Sequence, residues 1–68
     1  MALAAALRGL REDRGLTQEA LAHEAGVTVG TLSKIELGQA SPAWATVRQI
    51  AEALDVTLME LAAAVEDE

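Results

Sequence analysis

No cysteine occurs in the chain, and neither phenylalanine nor tyrosine does. The first absence excludes a disulfide staple and a thiolate zinc site, and it fits a reducing compartment. The second leaves Trp44 as the sole aromatic residue, so Leu, Ile, Val and Ala must build any core. Such a core suits helices, whereas strands favour β-branched and aromatic side chains. The one histidine, His23, has no second His or Cys to share a metal with, and reads as a solvated residue one turn after Glu19. Long apolar runs are missing as well. Nothing approaches the ~20 residues that span a bilayer. The opening MALAAALRGL lacks a basic start and is interrupted by Arg8, which argues against a signal peptide. A soluble, cytoplasmic protein is expected. No Gly-rich phosphate loop or paired-carboxylate pocket is evident, so the chain is not expected to be an enzyme or to need a cofactor, metal or small-molecule ligand. A core this small also leaves little room for a substrate cavity.

What is present is apolar and acidic. Hydrophobic residues make up 51% of 68, enough for one domain near the lower size that folds alone. Domains of this size often gain stability by pairing with a copy of themselves. Five basic residues face 11 acids, for a net charge of -6. The imbalance is local. All five bases (Arg8, Arg11, Arg14, Lys34, Arg48) fall within residues 1–48, together with five acids, so that segment is neutral. The last twenty residues carry Glu52, Asp55, Glu60, Glu66, Asp67 and Glu68 and no base. Net charge sets nonspecific affinity, but the local field of a binding face decides whether phosphate is tolerated there.

Periodicity gives five helices. Leu3, Leu7 and Leu10 are spaced for one apolar face over 2–14, ended by Gly15. Thr17 is a fitting N-cap for a second helix at 18–25, with Leu21, Ala22 and Ala25 inward and Gly26 as its break. Thr28 caps a third helix running to Leu37, with Leu32 and Ile35 inward and Gly38 after it. Ser41 reads as the N-cap of a fourth, with Pro42 in its first turn. Its stripe is Trp44, Val47, Ile50, Ala51 and Leu54, which places Trp44 in the core. In TLME, Thr57 and Glu60 form a capping box that opens a last helix through 66, with Leu58, Leu61, Ala62 and Val65 on one side. The closing EDE is expected to fray.

Residues 17–38 satisfy a demanding set of conditions together. Two helices crossing sharply need a small residue where they approach, which Ala22 supplies. The turn needs a residue tolerant of positive φ, which Gly26 supplies four residues on. Leu21, Ala25, Val27, Leu32 and Ile35 then point inward from both sides. These are the demands of a helix-turn-helix. With LREDRGLTQEALAHEAGV, LSKIELG and SPAWATVRQIAEALDVTLMELA in matching order, residues 8–61 resemble the phage-repressor and Cro type of DNA-binding domain, the XRE family, over about four-fifths of the chain.

That resemblance implies an all-α, five-helix bundle that binds double-stranded DNA, usually as a homodimer; many members are repressors, restriction-modification controller proteins or antitoxins, and a transcriptional repressor at a short inverted repeat is the expectation here. It implies phosphate contacts from Gln18, Thr28 and Thr31, with Gln18 also bracing the recognition helix. It implies an ion pair between Arg11 and Glu36, and base-edge positions at Val29, Gly30, Ser33 and Lys34. The chain departs from a strong base reader at two of these: Val29 offers only apolar contact, best suited to a thymine methyl, and Gly30 offers no side chain. Lys34 remains as the one long donor. Much of the specificity is then expected from half-site spacing and DNA shape. Leu58, Leu61, Ala62 and Val65 are the expected dimer seam. The thin recognition helix and the acidic C-terminal end also support a second reading: an antitoxin-like module that binds a basic protein partner on the same fold.

Overall fold

The three threonines positioned as helix caps all serve as such. The hydroxyl oxygens of Thr17, Thr28 and Thr57 accept from the backbone N–H groups of Ala20, Thr31 and Glu60, each at 3.0 Å. Glu60 reaches back to the N–H of Thr57 at 3.2 Å, completing the capping box. The computed structural model describes residues 2–66, and among these there are five helices and no strand: α1 (Leu3–Asp13), α2 (Gln18–Ala25), α3 (Val29–Glu36), α4 (Trp44–Ala53) and α5 (Leu58–Glu66). Asp67 and Glu68, two of the three residues expected to fray, lie outside the described residues.

The turn between α2 and α3 closes on Gly26, at φ 74° and ψ 26°. Its backbone N–H donates to His23 O at 3.2 Å, and that of Val27 to Ala22 O at 3.0 Å. A Cβ on Gly26 would meet nothing within 4 Å. Glycine is therefore required by the left-handed backbone rather than by space. Among the described residues, Asp55 at φ 58° is the one left-handed residue that is not glycine, and it follows α4. No glycine marks this end, and a short polar side chain is among the few that tolerate the conformation.

Each helix places at least one large apolar side chain in a common core. Leu7, Leu21, Leu32, Ile50 and Leu54 are fully buried, and Leu61 of α5 nearly so. Ala6, Ala22, Ala25, Ile35, Val47, Ala51 and Val56 fill the spaces between them, and Leu3, Leu10, Val27, Leu58 and Val65 pack from the edge. The result is an interior of aliphatic groups, as the shortage of aromatics requires. Within it α3 packs on α1 and α2, α4 packs on α2, and α5 packs on α1 and α4.

The start of α4 differs from the sequence expectation. Ala43, not Ser41, is the N-cap, with extended backbone at ψ 155° and no side-chain cap bond. Residues 41–43 stay outside the helix, so Pro42 precedes it. A Ser cap is worth only about 1 kcal/mol, less than correct seating of Val47, Ile50, Ala51 and Leu54 in the core. Trp44 is corrected with it: the side chain is 66% exposed, not in the core. It lies on the apolar stripe, but at the first residue of α4, one turn ahead of the buried Val47.

Candidate nucleic-acid interface

Glu36 ends α3 and is the one acid that this helix carries. It is turned inward and buried, 7% exposed. Arg11 of α1 meets it with two bonds, Nε to Oε2 at 2.8 Å and Nη2 to Oε1 at 3.0 Å. The Nη1 of Arg11 donates to Leu16 O at 2.8 Å, and Gln18 Nε2 donates to Glu36 Oε1 at 3.1 Å. The hydrogen bond to Glu36 raises the Arg11 pKa from its already high ordinary value, while burial opposes it. The carboxylate is thus held by three donors. The expected ion pair is present, and Gln18 joins it, bracing the start of α2 against the end of α3. With its amide nitrogen engaged there, Gln18 meets any phosphate only by what remains of its polar surface.

The consequence is electrostatic as well as mechanical. With Glu36 neutralised inside, the exposed side of α3 presents Thr28, Val29, Gly30, Thr31 and Lys34 and no acid. Ser33 sits half-buried at its edge, and Leu32 and Ile35 anchor the opposite side in the core. The Thr28 hydroxyl donates to Thr31 Oγ1 at 2.9 Å, which leaves the Thr31 O–H able to donate outward. The first N–H groups of the helix add positive potential at the same end. The face therefore offers hydroxyls, helix N–H groups and one lysine, groups that complement an anion.

A family model described as a helix-turn-helix domain matches residues 2–64. An uncharacterised HTH-type transcriptional regulator of Bacillus subtilis, YazB, is 36% identical over 56 residues, which cover 82% of this chain and 81% of that protein. The chain belongs to the helix-turn-helix domain family. Two solved structures agree in fold. The clp gene regulator ClgR of Corynebacterium glutamicum is 30% identical and superposes with a TM-score of 0.89, over 93% of this chain and 67% of that one. The restriction-modification controller protein C.AhdI of Aeromonas hydrophila is 34% identical, with a TM-score of 0.84 over 87% and 89% of the two chains. This helix-turn-helix protein is a DNA-binding transcriptional regulator of the XRE type.

The four residues expected at a dimer seam are divided by the fold. Leu61 is turned into the chain's own core, Leu58 and Val65 are half-buried, and Ala62 is exposed. Together they form one wall of an open apolar groove of about 460 Å³. Leu3, Pro42, Trp44, Val47 and, as its one charged member, Glu66 line the rest. Sequence reasoning missed Trp44 as part of this surface by assigning it to the core. No local signal separates it from the rest of the stripe: Pro42 puts Trp44 near the start of the helix but does not say what lies beside that turn.

The basic residues are unequal in what they can offer. Arg8 pairs with Glu12 at 3.4 Å on an exposed surface, a contact of little energetic weight. Arg14 and Arg48 are exposed. The acids Glu52, Asp55, Glu60 and Glu66 are exposed too, and all belong to α4, α5 and the turn between them, none to α3. Among the described residues, no helix is long and apolar enough to cross a membrane.

Proposed function

We propose that the protein is a sequence-specific repressor that binds a short inverted-repeat operator as a homodimer, acting in the cytoplasm. One observation carries this reading: α3 presents an acid-free face of hydroxyls, helix N–H groups and Lys34, made so by drawing Glu36 inward onto Arg11 and Gln18. In this arrangement Thr28, Thr31 and Gln18 hold the sugar-phosphate backbone, while Val29, Gly30, Ser33 and Lys34 meet base edges in the major groove. The groove beside Leu58, Ala62 and Val65 receives a second copy. That pairing places two recognition helices about 34 Å apart, one turn of DNA. Occupying a promoter in this way excludes RNA polymerase.

Selection from a randomised duplex pool at moderate salt tests the proposal. Enrichment of an inverted repeat with half-site centres one helical turn apart is the expected result. A folded protein that enriches nothing overturns it, and favours instead a module in which the exposed acids Glu52, Glu60 and Glu66 engage a basic protein partner.

A further inference from the structure

Gly30 is a glycine without a structural reason. Its φ lies outside the left-handed region occupied by Gly15, Gly26 and Gly38. It is the second residue of α3, and a Cβ built on it would meet only Thr28 Oγ1, at 4.0 Å, an ordinary contact. Glycine within a helix is nonetheless less favourable than alanine. Neither backbone conformation nor internal packing accounts for the missing side chain, and the position lies on the exposed face of the helix.

Its neighbour adds a second observation. Val29 is apolar yet 40% exposed, on a face otherwise made of threonines, a glycine and a lysine. An isopropyl group neither donates nor accepts a hydrogen bond. Of the features that base edges display in the major groove, the one it complements is the C5 methyl of thymine. A residue without Cβ beside it lets the helix backbone approach a base edge more closely than any other residue allows.

We propose that Val29 and Gly30 form a single specificity-determining contact, an apolar notch that seats a thymine methyl, with Gly30 left bare so that Val29 can reach it. This rests on the DNA-binding reading above and sharpens it. Each half-site carries a thymine at one fixed position, and Lys34, one helical turn beyond Gly30, meets a neighbouring base pair.

The test starts from a synthetic, unmethylated duplex pool, in which thymine is the sole source of a groove methyl. In the enriched duplex each thymine is replaced in turn by deoxyuridine, which deletes the methyl and keeps the base pairing. Affinity is then measured for the parent protein, V29A and G30A. The parent is expected to lose about four-fold at one thymine per half-site, the value of one buried methyl. V29A should already show that loss with thymine, and lose nothing more with uracil. G30A should melt at a higher temperature than the parent and yet bind more weakly, a pair of opposite changes that a merely structural glycine does not give. Indifference to uracil at every position, or G30A binding as tightly as the parent, overturns the proposal while leaving the DNA-binding reading intact. A pool in which nothing is enriched removes both.

Discussion

Arg11 and Glu36, twenty-five residues apart, meet through paired bonds of 2.8 and 3.0 Å in a site where the Glu36 side chain is 2% exposed and that of Arg11 12%. The pair fastens the first helix to the end of the recognition helix, and Gln18 adds the start of the second. Desolvating two charges is costly, and the attraction recovered within the protein roughly offsets that cost. The contribution of the pair is therefore orientation: it fixes the end of α3 against α1 and the start of α2.

R11A strands a buried carboxylate, and the expected loss is about 3–5 kcal/mol, a large part of what a small domain possesses. R11M/E36L, which removes both charges and keeps the volume, should cost far less. Urea denaturation midpoints compare the two. A double variant as unstable as R11A would mean that the charges themselves hold the fold together.

Lys34 is exposed on α3 and holds no position in the core, so K34A should leave the melting temperature unchanged. If Lys34 reads a guanine edge, the variant loses about 1–3 kcal/mol against the preferred duplex and less against unrelated ones. A uniform loss, with a salt slope smaller by about one, would move Lys34 to the phosphate backbone. Unaltered affinity for both duplexes would mean that α3 is not the reading element.

Much of this architecture was legible in the chain because its signals are local. Thr17, Thr28 and Thr57 act as caps through their own next turn, and Gly26 answers to its own φ, so neither needs knowledge of distant contacts. Leu7, Leu21 and Leu32 follow from helical spacing alone. Trp44 did not, because an apolar stripe tells which side of a helix faces inward but not how far along its length the neighbours extend. Leu61 and Ala62 make the same point: adjacent on one helix, one is buried and the other exposed, and only the packing of α5 on α1 and α4 separates them. Asp55 lacked any marker, since a left-handed aspartate looks in sequence like any polar residue.

Gly26 and Gly30 should respond in opposite directions to the same change. Alanine at Gly26 meets no atom within 4 Å, so its penalty is the left-handed backbone alone, about 1–2 kcal/mol. At Gly30 the backbone is already helical, and alanine should add up to about 1 kcal/mol. Thermal melts of G26A and G30A read both. A stable G26A would show that the turn can reach α3 by another backbone path.

The groove lined by Trp44, Leu58, Ala62 and Val65 yields a prediction that the chain reports by itself, because Trp44 is its only fluorophore of that kind. At 66% exposure in the single chain, the indole should emit as a solvated tryptophan at high dilution. If a second copy closes the groove, the indole leaves water, and the emission maximum should move to shorter wavelength as concentration rises. L58E places a charge in the same groove and should hold the emission at the dilute value at every concentration, with sedimentation reporting a monomer. The same variant should bind an isolated half-site as the parent does and lose its advantage on the full inverted repeat, because two linked contacts have become one. Emission that does not change with concentration, in a protein that still prefers the full repeat, would place the dimer contact on another face.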